Sequence, residues 1–270
     1  MPDDKAARDE MLTRNAALLA GTVQDAGALA LKMSRTELTT WIKGASSPVS
    51  EADIAANDLI ASRLRAATPD YGWLSEESVD DTARLGKTLT WIVDPIDGTR
   101  AYLARRPDWC VSVALVENGS PILACVFAPA TDEFFFAAKG RGASRNDMRI
   151  EAAGGATFDA SKIAGPKLLV ERLGLLKDGE DLHPRIGSLA LRLVRVGEGA
   201  LDAAFAGGNS HDWDLAAADL IVHEAGGEMT ALTGEKLVYN GADIRHGLLI
   251  AAGRSRHATI VEHFRTHFVS

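Results

Sequence analysis

The sequence predicts a mixed α and β protein in two halves, an N-terminal α+β half over 1–150 and a C-terminal α/β half over 151–270. Three patterns carry this reading. Apolar residues recur at helical spacing near the N-terminus. Runs rich in β-branched and aromatic residues follow between residues 88 and 136, and strand-like and helix-like stretches then alternate to the C-terminus.

From Asp4 to Met33 the residues Met11, Leu18, Leu19, Val23, Ala26, Leu29, Ala30 and Met33 mark one face of a long helix, weakened but not broken by Gly21 and Gly27. Ser50-Glu51-Ala52-Asp53 reads as a capping box that opens a second helix, with Pro48 just outside it and Ile60 and Leu64 on its apolar face. Thr88–Val93 is a strand that stops at Asp94-Pro95, because proline cannot continue a hydrogen-bond ladder. Trp109–Val116 and Pro121–Phe127 form a hairpin whose Asn118-Gly119 supplies the positive φ of a tight turn. Phe134–Phe136 is the next antiparallel neighbour. After the glycine-rich stretches at 140–142 and 154–155, Lys167–Val170, Leu201–Phe205 and Leu248–Ala251 read as strands. Helices are expected over Ser188–Gly197, Asp214–Ala225 (ended by Gly226-Gly227) and Arg256–Phe268.

Composition narrows the function classes. With 270 residues, 46% hydrophobic and 24% charged, the chain can bury a large core and is no disordered tract. Lys plus Arg number 29 against 37 Asp plus Glu, a formal charge of −8 that argues against a nucleic-acid polymer or an anionic membrane as partner. Two cysteines, Cys110 and Cys125, allow no disulfide framework and read as small core residues. The charged start, Met1-Pro2-Asp3-Asp4-Lys5, leads into no signal-like apolar block, and no run is long enough to span a bilayer. A cytoplasmic protein with no membrane insertion is expected.

The chemistry concentrates in Trp91-Ile92-Val93-Asp94-Pro95-Ile96-Asp97-Gly98-Thr99. A strand ends there, and two carboxylates three residues apart are thrust out at its tip. Pro95 fixes the direction between them and Gly98 allows a tight turn. Arg100–Leu103 is placed to open a short helix with its free N–H groups toward an anion. Converging acids repel unless a proton or cation intervenes, and hard divalent cations take such oxygen ligands. The plainer reading is that Asp94 and Asp97 cap a turn. For six specified residues, chance occurrence is on the order of one in 10⁵, which favours the functional reading.

Asp94-Pro95-Ile96-Asp97-Gly98-Thr99 resembles the signature of the inositol monophosphatase superfamily, whose members are magnesium-dependent, lithium-sensitive phosphomonoesterases. Leu74-Ser75-Glu76-Glu77-Ser78 resembles the upstream acidic motif of that family. Ser47-Pro48-Val49-Ser50-Glu51-Ala52-Asp53 resembles the segment with the water-activating aspartate. Trp213-Asp214-Leu215-Ala216-Ala217, followed by Glu224-Ala225-Gly226-Gly227, resembles the C-terminal signature. The likeness runs from about residue 43 to 252.

It implies the sugar-phosphatase fold, a layered αβαβα sandwich, with most metal ligands in the first half and substrate contacts plus the last ligand in the second. By resemblance, Glu76, Asp94 and the carbonyl of Ile96 hold one Mg²⁺. Asp94, Asp97 and Asp214 hold another, and Glu76 reaches a weaker third site. Asp53, Thr99 and Glu76 are the catalytic set: Asp53 bonds Thr99, which orients the attacking water. Gly98, Thr99, Gly187, Ser188 and Asp214 are the substrate contacts, Gly187-Ser188 lying at a predicted helix start. Two metals suit phosphate ester hydrolysis, which is very slow uncatalysed.

Each residue also has a plainer reading. Asp53 is an acid at the third position of a capped helix, where it is useful anyway, and Asp214 likewise opens a helix. Glu77 reads as a solvated neighbour, Ser210-His211-Asp212 as a polar helix start, and Lys43 equally as a solvated charge or as a basic residue beside the site. His183, His223, His246, His257, His263 and His267 show no ligand spacing.

The expected partner is a small phosphorylated metabolite. Family members acting on inositol or histidinol phosphate often carry an acid where this chain has Gly207. Gly207-Gly208 leaves room for something flat, such as adenine. With the Leu-Ser-Glu-Glu wording and Arg100-Ala101-Tyr102, this points to the 3′(2′),5′-bisphosphate nucleotidase branch and to 3′-phosphoadenosine 5′-phosphate as substrate. Inositol-1-phosphate is the alternative, with histidinol phosphate and fructose-1,6-bisphosphate behind it. A silent metal- or nucleotide-binding regulator is disfavoured because the acidic set is intact. A nuclease would need a basic groove that is not visible. Family members are commonly homodimers, but nothing in the sequence fixes the oligomeric state.

Overall fold

Helix α1 (Pro2–Met33) leads into the antiparallel pair β1 (Thr40–Lys43) and β2 (Ser47–Ser50), and α2 (Glu51–Ala67) follows directly, in a computed structural model that describes residues 2–43, 47–155, 157–177 and 179–268. The two helices pack together and cover one face of a seven-stranded sheet. Its strands are β3 (Gly72–Ser75), β4 (Leu89–Asp97), β5 (Cys110–Glu117), β6 (Ser120–Ala128), β7 (Glu133–Ala138), β8 (Ala143–Arg145) and β9 (Met148–Arg149), side by side in chain order. A short helix, α3 (Thr99–Leu103), follows β4 after one residue.

The rest of the chain builds a second sheet. Strand β10 (Ile163–Ala164) is followed by α4 (Lys167–Arg172), α5 (Leu189–Gly197), β11 (Ala203–Ala206), β12 (Ser210–His211) and α6 (Asp212–Glu224). Strands β13 (Gly227–Ala231), β14 (Arg245–His246) and β15 (Leu249–Gly253) come next, and α7 (Arg254–Phe268) closes the described chain. The four-stranded sheet has the order β10-β11-β15-β13, while β12 and β14 pair separately.

Three apolar clusters separate five layers, α-β-α-β-α. Leu19, Val23, Ile60 and Leu64 of α1 and α2 meet Val111, Val113 and Leu115 of β5. The alternate residues of β5, Cys110, Ala114 and Val116, point the other way into the largest cluster, as the two-residue period of a strand requires. There they join Leu191 and Val194 of α5 and Leu215 and Ile221 of α6, with Ala204 and Ala251 of the small sheet beneath. The outer cluster packs Ile163, Phe205 and Ile250 against Val170 after α4 begins and Ile260 and Val261 of α7. Both cysteines are buried and free. Among the described residues no helix is long and apolar enough to cross a membrane.

Four features differ from the sequence reading. Strand β4 does not stop at Asp94-Pro95: pairing with β5 runs to Asp94↔Ser112, breaks, and resumes at Asp97↔Cys110. Proline ends a ladder locally, but a bulge lets the strand pass it. Lys167–Val170 is the start of helix α4, not a strand, because Pro166 precedes it and its carbonyl accepts the amides of Leu169 and Val170. A short apolar run carries no decisive period, and the strand here is Ile163–Ala164. The large sheet is mixed, since β3 lies parallel to β4. In the smaller sheet only β10 and β11 are parallel; β11 and β13 both run antiparallel to β15.

Candidate active site

The β4 bulge makes the first part of the site. Asp94 and Asp97 flank it, with residue exposures of 1% and 7%. Asp94 Oδ1 accepts the Ile96 amide at 3.0 Å, which turns that carboxylate back along its own strand. The next residue, Gly98, has φ of 95°, and a Cβ there would stand 3.1 Å from the Ser188 nitrogen and 3.2 Å from the Asp108 carbonyl oxygen. Only glycine combines that backbone with that approach.

The second half reaches across to Asp97. Its Oδ2 accepts the Ser188 hydroxyl and the Ala190 amide, both at 2.6 Å. Ser188 Oγ also accepts the Leu191 amide at 2.9 Å, so one hydroxyl caps α5 and fixes a carboxylate of the other half. The turn before it is anchored to Asp108, whose carbonyl accepts the Ser188 amide at 3.0 Å and whose side chain accepts from the Gly187 amide and from Arg106.

Asp53 and Asp214 are held by one device used twice. Each is the third residue of a helix, and one of its oxygens accepts the amide of the residue preceding the helix. Ser50 N donates to Asp53 Oδ2 at 2.8 Å, and His211 N donates to Asp214 Oδ2 at 2.6 Å. The capping arrangement thereby fixes each acid where the positive end of a helix favours it. The other oxygen of Asp53 accepts the Thr99 hydroxyl at 3.2 Å, and that hydroxyl also lies 3.1 Å from the Ile96 carbonyl. The His211 ring stacks on Trp213 with centroids 4.7 Å apart.

These supports bring Asp94, Asp97 and Asp214 together, one oxygen from each lying within 4.8 Å of the others. Their electrostatics match that crowding. Burial, and then the charges of Asp214 and Glu77, push the Glu76 carboxyl up to about 8. Burial followed by the charge of Asp214 raises Asp97 to about 6, although hydrogen bonds from Ser188 and Ala190 oppose this. Asp94 is raised well above the usual carboxylate range by burial and by Glu76, Asp97 and Asp214. Burial also raises Asp53. Hard oxygen donors whose mutual repulsion raises their proton affinity are what a divalent cation relieves, so the donor set fits Mg²⁺. Asp94, Asp97 and Asp214 would hold it, with Glu76 beside them.

A cavity of about 490 Å³ opens over this group. Glu76, Asp97, Gly98, Thr99, Gly187 and Asp214 line it; Arg100, Arg106 and Arg185 do too, of which the sequence singled out Arg100 only as the start of a helix and a branch marker, and Arg106 and Arg185 not at all. Arg106 follows another arginine and Arg185 stands two residues before Gly187, but lone arginines in loops carry no spacing signal. Neither Gly207 nor Gly208 lines the cavity.

Glu77 is not solvated: its side chain is 6% exposed and lies 3.4 Å from Lys43 Nζ, which also donates to the Glu76 carbonyl. Lys43 of β1 thus ties the hairpin to the acidic motif. Asp212 is fully buried, bonded to His246 Nε2 at 2.7 Å and the Asn240 amide at 2.6 Å.

The model of the inositol monophosphatase family matches residues 11–268. The chain belongs to this family. An inositol-1-monophosphatase of Caulobacter vibrioides is 33% identical over 244 residues, covering 85% of this chain and 92% of the relative. The protein named Nus factor SuhB in Xylella fastidiosa is 38% identical over 188 residues, 66% of each chain. Among solved structures, the extragenic suppressor protein suhB of Bartonella henselae matches with a TM-score of 0.80 at 28% identity, over 93% of this chain and 98% of that one. As an inositol monophosphatase family member the chain is a metal-dependent phosphatase, and its five layers are the fold of that family.

Proposed function

We propose that the chain hydrolyses the phosphate monoester of a small metabolite, with 3′-phosphoadenosine 5′-phosphate as the favoured ester, giving AMP and phosphate. The observation that carries the hydrolytic reading is the convergence of Asp94, Asp97 and Asp214 within 4.8 Å, beside the bonded pair Asp53–Thr99. In this reading two or three Mg²⁺ are held by Glu76, Asp94, the Ile96 carbonyl, Asp97 and Asp214. Bound there, magnesium supplies charge neutralisation for the phosphoryl group and acidifies a water.

The remaining steps belong to the chain. Asp53 accepts the Thr99 proton, which leaves a Thr99 lone pair to take a proton from the attacking water. The amides of Gly98 and Thr99 bind the non-bridging phosphate oxygens, and Gly187 bounds the substrate while the buried Ser188 behind it holds Asp97. The P–O bond to the alcohol breaks as the bond to water oxygen forms, the leaving oxygen takes a proton from a solvent water, and Asp53 gives its proton back to solvent. Positioning of this kind needs no covalent intermediate.

Support for the nucleotide over the polyol comes from the turn after β11. Gly207 and Gly208 put no acid in that turn to grip a polyol hydroxyl, a sequence argument that stands apart from the cavity lining. Inositol-1-phosphate is the second reading, favoured by the name and 33% identity of the Caulobacter relative. The test is kcat/KM measured side by side for 3′-phosphoadenosine 5′-phosphate, inositol-1-phosphate, histidinol phosphate and fructose-1,6-bisphosphate. Phosphate release is expected to require Mg²⁺, to fall with chelator or lithium, and to be highest for the nucleotide. Equal rates on all four would sink the nucleotide assignment, and a higher rate on inositol-1-phosphate would replace it.

A further inference from the structure

Strands β13 and β15 are antiparallel neighbours, a pair that a two-residue turn can join. The chain instead leaves the sheet after Ala231 and returns only at Leu249. A long connection costs closure entropy, and one that persists in a compact domain is commonly functional. The middle of this one, residues 239–246, is fastened on two sides.

One side grips the start of α6. Asp212, the first residue of that helix, is fully buried. Its Oδ2 accepts the Asn240 amide at 2.6 Å, and its Oδ1 lies 2.7 Å from His246 Nε2. The Asp212 amide donates to the Ile244 carbonyl at 2.9 Å. His211, whose amide fixes Asp214, pairs with Arg245 across β12 and β14.

The other side is tied to the first half of the chain. Asn240 Oδ1 accepts from Arg84 Nη1 at 2.7 Å, and Asn240 Nδ2 donates to the Thr90 hydroxyl at 3.0 Å. Arg84 is 2% exposed and is itself clamped by both oxygens of Asp80. Thr90 lies in β4, the strand that ends in Asp94 and Asp97. Asn240 has φ of 60°, a conformation that asparagine tolerates, and it offers its amide to Asp212 and its side chain to Arg84 and Thr90. The segment therefore joins β4 to α6, the two elements whose separation spaces Asp94 and Asp97 from Asp214.

We propose that Asp212 and Asn240 are positioning residues, and that residues 239–246 form a strap that sets the place of Asp214 and so the affinity for Mg²⁺. This rests on the metal-dependent phosphatase reading above. Neither residue lines the cavity, so their effect passes through α6. A purely stabilising strap would act differently. Its remaining hold on the helix is the bond from the Tyr239 hydroxyl to Asp219 Oδ2 at 2.8 Å, seven residues beyond Asp212, which secures the body of α6 rather than its start.

Isothermal titration calorimetry with Mg²⁺ alone reads the affinity with no ester present. Asp212→Ala is expected to weaken binding by roughly tenfold to a hundredfold, as loss of a group that orients a ligand does. Asp212→Asn should recover part of this, since one acceptor oxygen remains. Asn240→Gly keeps the positive φ and the backbone amide but removes the bonds to Arg84 and Thr90, and should weaken binding by about threefold to tenfold. It also carries the test should Asp212→Ala fail to fold. Tyr239→Phe is expected to lower the melting temperature and leave Mg²⁺ affinity at the parent value. In Asp212→Asn and Asn240→Gly, kcat for 3′-phosphoadenosine 5′-phosphate should return toward the parent value at saturating Mg²⁺. Equal Mg²⁺ affinity in the parent and Asn240→Gly overturns the strap, and so does a loss in Tyr239→Phe as large as theirs. A parent that binds no Mg²⁺ overturns the strap and the metal centre together. Mg²⁺ binding that follows the expected order, with no phosphate released from any ester, overturns the phosphatase reading and leaves the strap standing.

Discussion

The carboxylates of the centre are secured in two different ways. Asp94 and Asp97 come from the end of a sheet strand, are nearly sealed from solvent, and gain their positions from a bulge between two paired segments. Asp53 and Asp214 come from helix starts, where the amide of the preceding residue, joined at Asp53 by the Ser50 hydroxyl, fixes one oxygen and leaves the other to the site. Asp214 has a side chain 21% exposed, on a helix whose first residue, Asp212, is buried and bonded to His246 and Asn240. The strand pair is sealed from solvent, as Asp53 also is, whereas Asp214 keeps a partly exposed side chain. The centre thus has a closed floor and, at Asp214, a more open wall.

The largest expected effect tests the floor. Asp97→Asn should lower phosphate release by about three orders of magnitude or more, because the charge of a proposed metal ligand is lost and its hold on Ser188 and Ala190 is weakened. Near-UV circular dichroism should keep its native form. Activity within tenfold of the parent would show that the bulge is no metal site.

Asp214→Asn should be milder and of another kind. At low Mg²⁺ the expected loss is about tenfold to a hundredfold, recovered in part as Mg²⁺ is raised. A magnesium titration of both variants decides the matter. A defect in Asp214→Asn as deep as that of Asp97→Asn and indifferent to Mg²⁺ would erase the distinction between floor and wall.

A smaller effect is expected on stability. Glu76 is pushed up to about 8 and Asp97 to about 6, both above their ordinary values. Between those ranges the folded metal-free chain holds protons that the unfolded chain releases, so its stability falls as pH rises. The contribution is fully present below about pH 4, is lost from Asp97 through about 6, and is lost from Glu76 through about 8. Chelator-treated protein should therefore melt on the order of 5 °C lower at pH 8 than at pH 6. Saturating Mg²⁺ should remove most of that difference. A chelated melting point that rises from pH 6 to pH 8 would mean the acids do not repel as described.

Much of the acidic centre was legible in the sequence because it is local. Asp94, Asp97, Gly98 and Thr99 lie within six residues, and Asp53 and Asp214 each sit inside a recognisable helix start. Periodicity marked α1, β4 to β7 and α5 to α7 as elements, and the five-layer order was what the family resemblance implied. What escaped depends on contacts distant in sequence. Nothing near Asp97 announces that Ser188 and Ala190 bind it, about ninety residues away. Arg185 and Arg106 meet one cavity only through the fold. The β4 continuation past Pro95 escaped because a local rule about proline was overridden by pairing with β5 on either side. Strand β3, Gly72–Ser75, is too short for its alternation to register.

The hold of Ser188 and Ala190 on Asp97 has an evolutionary consequence. The turn that would choose the substrate is tied to Oδ2 of Asp97, the carboxylate proposed to hold metal. Drift in that turn, even by substitutions that only reshape the Arg185 side, pulls on the metal centre as well. New substrate preferences are then reachable mainly by changes that leave the Ser188 cap in place, and the loop can wander only as far as that tether allows.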